Sequence, residues 1–275
     1  MKKKNWLITG ISSGLGKALA EAVMDFGDFV IGTFRKPEQV EAFNKINEGR
    51  GLGILLDVTD FDQIENTISQ LENNMEIDVL VNNAGTGIVG AIEESSIKEV
   101  RHVFEANFFG ALKMTQTILP FMRKRKKGNI IQISSHGGVK AFGGFGVYNA
   151  SKFALEGFSE ALAQEVASLG IHVTIVEPGP FRTNFAGDAL ILAEKVIEDY
   201  NDTAGAFRAK LKGVHNKQEG HPEKAAMAII NHVNKEKSTL RLPLGKIPMI
   251  TIGMKIDSLK ADLEANKEVS EQCVY

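Results

Sequence analysis

Short, mostly apolar runs alternate along this chain with longer stretches whose apolar positions recur every three or four residues. The short runs, at 5–8, 29–33, 53–56, 79–81, 129–133, 172–176 and 239–242, have the length and composition of strands. Several are apolar throughout, the pattern expected when helices cover both faces of a parallel sheet. The longer stretches, at 15–26, 38–47, 61–73, 97–125, 148–169 and 222–234, carry helical periodicity. Ser96-Ile97-Lys98-Glu99 has the form of a capping box, in which the Ser and Glu side chains each satisfy a backbone amide at a helix start. Regular alternation of strand and helix predicts right-handed crossovers. The fold class is therefore α/β, a doubly wound, mostly parallel, Rossmann-type sheet in a single domain over 1–275.

Two stretches fit the alternation poorly. The segment 184–215 interrupts it after the sixth strand, where the carboxyl ends of a sheet face a ligand crevice; a substrate lid and an ordinary pair of surface helices both fit. In the tail from 246, Ile252, Ile256, Leu259 and Leu263 recur at helical spacing and read as a packing stripe.

Composition narrows the classes. With 275 residues, 43% hydrophobic and 24% charged, the chain is long enough for a sizeable core and too apolar to be largely disordered. A formal charge of −2 offers no general attraction to nucleic acid or to an anionic membrane, and no apolar run is long enough to span a bilayer. The basic run 123–127 ends a helical pattern, where cations suit the dipole. The early Lys2-Lys3-Lys4 is followed by an apolar run that breaks at Thr9-Gly10, so no targeting segment is read. The single cysteine, Cys273, excludes an internal disulfide and fits a reducing, cytoplasmic setting. No metal is called for.

Thr9-Gly10-Ile11-Ser12-Ser13-Gly14-Leu15-Gly16 joins the first strand to the first helix. Glycines there let the backbone approach a pyrophosphate, which then rests on the unpaired amides of the helix start. An acid at the end of the second strand would bond the ribose of NAD, but this chain reads Thr33-Phe34-Arg35-Lys36. A guanidinium pairs with a 2′-phosphate that a carboxylate would repel, so NADP (NADPH) is favoured over NAD, with Arg35 as main contact and Lys36 or Ser13 in support. A solvated turn residue is the competing reading of Arg35.

Tyr148 and Lys152, four apart, share one helix face. A neighbouring ammonium favours phenolate and brings a phenol toward a useful acid/base range. Ser135 ends a strand thirteen residues upstream, and glycines in the loop between let it fold against the helix start, where its hydroxyl can meet a substrate oxygen as charge develops. Asn107, a poor helix former inside a helical run, either orders a water in a proton path or bridges buried backbone.

Taken together these residues resemble the short-chain dehydrogenase/reductase family over roughly the first 240 positions. The matching features are Thr9–Gly16, Asp57-Val58, Asn82-Asn83-Ala84-Gly85, Asn107, Ser135, Tyr148-x-x-x-Lys152 and Pro178-Gly179-Pro180-Phe181-Arg182-Thr183. The resemblance implies hydride transfer between a nicotinamide and a carbonyl or alcohol, with Asn107, Ser135, Tyr148 and Lys152 catalytic. Tyr148 would be the acid/base and Lys152 would lower its pKa and hold the ribose. Ser135 would orient the carbonyl, so that Ser135 and Tyr148 both touch substrate, and Asn107 would anchor a water. It also implies that Gly10, Ser12, Ser13, Gly14, Leu15 and Gly16 hold the phosphates. Asp57 and Val58 would meet the adenine, and Asn83, Ala84 and Gly85 the adjoining ribose region. Pro178, Gly179, Phe181 and Thr183 would meet the carboxamide end. A homodimer or homotetramer through 97–125 and 148–169 is implied as well.

NADP-preferring members often carry a basic residue where this chain has Ser13, so the cofactor choice rests on Arg35. Phe142, Phe145, Phe181 and Phe185 hint at a hydrophobic pocket, and His136 stands beside Ser135, but no substrate signature is legible. The contrasting function class is a cofactor-sensing regulator that binds NADP and a protein partner without turnover. A sugar-nucleotide epimerase is disfavoured by the spacing of Gly10, Gly14 and Gly16.

Overall fold

A computed structural model describes residues 3–183, 190–214 and 217–275. Seven strands form one parallel sheet: β1 (Asn5–Ile8), β2 (Phe29–Phe34), β3 (Gly51–Leu55), β4 (Val79–Asn82), β6 (Gly128–Ile133), β7 (Ile171–Pro178) and β9 (Arg241–Leu244). Their order is β3-β2-β1-β4-β6-β7-β9, so the chain reverses direction across the sheet between β1 and β4. A crevice for a ligand opens at such a reversal, beyond the carboxyl ends of the strands.

Alternation along each strand divides the core. Trp6, Ile8, Val79, Val81 and Ile131 point to the side covered by α1 (Gly14–Phe26) and α8 (Pro222–Val233), where they meet Leu19, Val23, Ile229 and Ile230. Leu7, Ile31, Leu80 and Ile130 point to the other side, covered by α3 (Phe61–Asn74), α5 (Gly110–Arg125) and α6 (Gly146–Val166) through Ile64, Ile68, Met114, Ile118 and Leu162. The short α2 (Pro37–Ile46) buries no residue fully and lies over β3. Two covered faces explain why these strands are apolar throughout.

The expected elements recur with three changes. The last strand is displaced from 239–242 to Arg241–Leu244. The helical pattern 97–125 is two helices, α4 (Ile97–Phe104) and α5, separated by a π-helical turn over Glu105–Phe109. Two three-residue strands, β5 (Gly87–Val89) and β8 (Leu190–Leu192), pair in parallel as a separate small sheet. The capping box at Ser96 is present: the Glu99 amide donates to the Ser96 hydroxyl at 3.3 Å, and the Ser96 amide to Glu99 Oε2 at 2.7 Å.

Within the segment 184–215, residues 184–189 and 215 lie outside the described residues. The rest includes β8, a 3-10 turn over Glu198–Tyr200, a π-helical turn over Asn201–Gly205 and α7 (Ala206–Val214). The tail folds as α9 (Lys246–Ala265) and α10 (Lys267–Glu271). The expected packing stripe is corrected here: Ile256, Leu259 and Leu263 are exposed, because α9 touches the body only near its start, where Pro248 is buried. No described helix is long and apolar enough to cross a membrane.

Candidate active site

The turn from β1 to α1 is fixed by side chains from two neighbouring strand ends, Thr33 and Asn83, and by its own Thr9. The Gly10 amide donates to Thr33 Oγ1 at 3.0 Å, and Asn83 Nδ2 donates to the carbonyls of Thr9 and Gly10 at 2.8 and 3.0 Å. Thr9 Oγ1 in turn accepts the amides of Asn83 and Ala84, each at 2.9 Å. Gly10 and Gly14 have φ of +70° and +64°, a region costly for any residue with a Cβ. At Gly16 the constraint is contact: a Cβ would lie 2.3 Å from Asn83 Nδ2 and 2.5 Å from the Gly10 carbonyl. The loop must therefore pass this close to α1.

Helix α1 opens with no side-chain cap at Ser13 and no acid in its first turn. Its leading amides and positive dipole end are thus left for an anion. Beside it lies a cavity of about 310 Å³, lined by Gly10, Ser12, Arg35, Lys36, Val58 and Ala84 among others. Two cations and no carboxylate stand among its described lining residues. Asp57 is not in that lining; its Oδ1 accepts the Thr59 amide at 2.9 Å and the Thr59 hydroxyl at 2.8 Å, organising its own turn. The residues present fit an adenine dinucleotide: a cavity beside the glycine loop, and a helix start with free amides for the diphosphate.

The second cluster sits at the carboxyl ends of β4 and β6. Tyr148, Lys152, Ser135 and Asn107 are all buried. Burial pushes the Tyr148 phenol up to about 12, and a hydrogen bond from the Ser135 hydroxyl works against that rise. Ser135 is held in extended backbone and accepts the Gly137 amide at 3.0 Å, which fixes its Oγ toward the phenol. Burial pulls the Lys152 ammonium down to about 8, with the Glu156 carboxylate opposing it. Lys152 Nζ donates to the Ile133 carbonyl at 2.8 Å and lies 5.9 Å from the centre of the Tyr148 ring.

The π-helical turn carries Asn107. Its Nδ2 donates to the Thr86 carbonyl at 2.8 Å and to Ser151 Oγ at 2.9 Å, while Oδ1 accepts the Thr86 amide at 2.8 Å. A Cβ at Gly85 would stand 2.9 Å from Asn107 Oδ1 and 3.7 Å from Lys152 Nζ, so these three positions meet at one point. Asn107 does bridge backbone, at the partly buried Thr86, and it does so beside Lys152.

The loop after β7 closes the remaining side. The Gly179 amide donates to the Leu244 carbonyl at 3.0 Å, and the ideal Cβ position of Gly14 lies 3.7 Å from Thr183 Cβ. Phe181 pairs with Gly220 through backbone and packs its ring against the core beneath α1 and α8. His136 does not stand free: its Nδ1 lies 3.1 Å from Thr251 Oγ1 on α9, and burial, with Lys140 nearby, holds its pKa down at about 4. The Phe145 ring stacks on Tyr148 at 4.2 Å, and Phe207 of α7 lies 5.5 Å from Phe145. Phe142 contacts the His136 ring, and Phe185 lies outside the described residues.

Several contributors escaped the sequence reading. Thr9 and Thr33 stitch the phosphate loop. Asn149 ties the loop before α6, accepting the Phe142 amide at 2.9 Å and donating to the Gly137 carbonyl at 2.8 Å. The only signal for Asn149 was its place next to Tyr148, since its partners are backbone groups that no side-chain pattern marks.

Comparison with known proteins agrees with this fold. Residues 4–190 match the family profile described as short chain dehydrogenase. The chain is 38% identical to Oxidoreductase BOA17 of Botryotinia fuckeliana over 269 residues, 97% of this chain and 98% of that one. It is also 38% identical to a 3-ketodihydrosphingosine reductase of Bacteroides thetaiotaomicron, covering 89% and 88% of the two chains. A short-chain dehydrogenase from Streptomyces avermitilis superposes with a TM-score of 0.93 at 42% identity, over 99% of each chain. ElxO with NADP bound superposes with a TM-score of 0.72 at 26% identity, over 88% of this chain and 97% of that one. The chain therefore belongs to the short chain dehydrogenase family, as an NAD(P)-dependent oxidoreductase that works between alcohol and carbonyl groups.

Proposed function

We propose that this protein is an NADP-dependent reductase or dehydrogenase of a hydrophobic carbonyl or alcohol, with Tyr148 exchanging the proton. The observation that carries the reading is the convergence of Tyr148, Ser135, Lys152 and Asn107 in a buried cluster, at the same edge of the sheet as the nucleotide cavity. Bound NADPH supplies the hydride. Ser135 and Tyr148 both donate to the carbonyl oxygen, and as negative charge gathers there Tyr148 releases its proton to it. Lys152 stabilises the phenolate left behind and holds the nicotinamide ribose, and Asn107 anchors a water that returns a proton toward Lys152.

Gly10, Ser12, Ser13, Gly14, Leu15 and Gly16 hold the diphosphate, with Arg35 and Lys36 on the 2′-phosphate. Val58, with the turn fixed by Asp57, faces the adenine; Asn83, Ala84 and Gly85 back the neighbouring ribose. Pro178, Gly179, Phe181 and Thr183 shape the carboxamide end.

The apolar wall formed by Phe145 and Phe207 beside Tyr148 favours a hydrophobic substrate over a sugar. The relative named as a 3-ketodihydrosphingosine reductase supports the same direction. A homodimer or homotetramer through α5 and α6 accompanies this reading. No finding favours the cofactor-sensing regulator.

The test is oxidation of NADPH against a panel of carbonyl classes that includes long-chain and aromatic ketones, with NADH in parallel. Tyr148→Phe should abolish turnover, a loss of at least 100-fold by the scale of general acid catalysis, and leave NADPH affinity within about twofold. Turnover retained in that variant refutes Tyr148 as the proton donor.

A further inference from the structure

Helix α6 carries a titratable residue on the same face at every fourth position: Tyr148, Lys152, Glu156 and Glu160. The first two belong to the proton-transfer cluster, and Glu160, half exposed, reaches solvent. Between them Glu156 is buried and takes no part in the roles assigned above.

Its surroundings form a compact ionic cluster. Arg241 of β9 donates to Glu156 and to Glu177 of β7, and its second terminal nitrogen lies 2.5 Å from Glu160. Glu177 is buried, and its Oε2 has no partner among the described residues. Ser134, at the end of β6, places its hydroxyl beside Glu156, and Lys152 stands one helical turn away. The cluster thus sets two buried carboxylates on one partly exposed guanidinium, with a buried cation, Lys152, on the side of the active site. A buried ammonium without a counter-charge loses its proton.

We propose that Glu156 is a positioning residue for the reaction: its carboxylate, held by Arg241, is the counter-charge that keeps the Lys152 ammonium charged behind Tyr148. The two buried carboxylates compete for Arg241 and repel one another, so Glu177 holds back the ionisation of Glu156; burial and this repulsion push Glu156 up to about 7. The inference rests on the acid/base role proposed for Tyr148 and Lys152 and adds the charge that stands behind it.

Lysine labelled with carbon-13 at Cε reports the charge of Lys152 directly in the full chain, its resonance assigned by its loss in Lys152→Met. In the parent the titration midpoint is expected at about 8. Glu156→Gln should lower that midpoint by about one pH unit, a tenfold weaker hold on the proton. Glu177→Gln should leave it within a few tenths of the parent, because a Glu156 carboxyl at about 7 is already largely ionised at pH 8. A purely structural role has no reason to single out Glu156 in this way.

A midpoint unmoved or raised in Glu156→Gln, or lowered as far by Glu177→Gln, overturns the proposal. Where Glu156→Gln does not fold, Glu156→Asp decides: it draws the carboxylate back by one methylene, so the midpoint should fall by several tenths, and an unmoved or raised midpoint counts against the proposal. These outcomes are separate from the Tyr148→Phe assay: loss of turnover there with unmoved midpoints here refutes only the role of Glu156.

Discussion

Arg35 and Lys36 stand exposed where β2 turns into α2, directly after the buried Phe34. Nothing in the fold requires a cation there, and both line the cavity. A charge-assisted hydrogen bond contributes roughly 1.5–3 kcal/mol, so Arg35→Ala should weaken NADP+ by about 10- to 100-fold and leave NAD+ within about twofold, as titration calorimetry would show. Equal losses for the two cofactors would remove Arg35 from the 2′-phosphate. This residue was legible in the sequence because its meaning depends only on a position one strand after a glycine loop. Tyr148 and Lys152 were legible for a similar reason, both lying on one helix. Glu156 was not: its partner Arg241 lies 85 positions away, and no local pattern announces a contact made through the end of a sheet.

At the scale of elements, length decided what could be read. Seven strands and six helical stretches carry enough periodic positions to stand out, whereas β5 and β8 have three residues each and show no period. The π-helical turn that aims Asn107 occupies five residues, too few for its pitch to register against a helical pattern on both sides. The segment holding β8 and α7 was legible only as an interruption, and what fastens it is Glu94. This buried carboxylate accepts the Ile197 amide at 2.9 Å, the Ala91 amide at 2.7 Å and the Arg208 guanidinium at 2.8 Å. Burial alone would raise its pKa, and these donors outweigh it and hold the group below the ordinary range. Arg208 follows Phe207, whose ring backs Phe145 and through it Tyr148. Glu94→Ala leaves a mostly buried guanidinium unpaired and should cost about 3 kcal/mol in denaturant unfolding, with a rise in KM as the aromatic wall loosens. A loss below about 1 kcal/mol with KM unchanged would show that the segment is fastened elsewhere.

For the whole molecule, the parallel sheet and its two helical layers followed from apolar strands that must be covered on both faces, but the surface left over was not legible. Apolar spacing marks a buried stripe and an interface alike, as the exposed Leu259 and Leu263 of α9 show. Phe109 at the end of the π-helical turn and Phe153 on α6 are each 41% exposed, beside an edge-to-face contact between Phe108 and Phe158. Large apolar rings held rigidly on two adjoining helices suit a two-fold interface, in which each ring is used twice and the same patch meets itself. The chain should therefore sediment as a dimer or tetramer at micromolar concentration. Phe153→Asp would place two like charges near the axis of that interface, where like-charge juxtaposition costs several kcal/mol, and should shift the protein toward monomer with its thermal unfolding little changed, since Phe153 is not part of the core. A parent that sediments as a monomer, or a variant that keeps the parent mass, would place the interface away from α5 and α6.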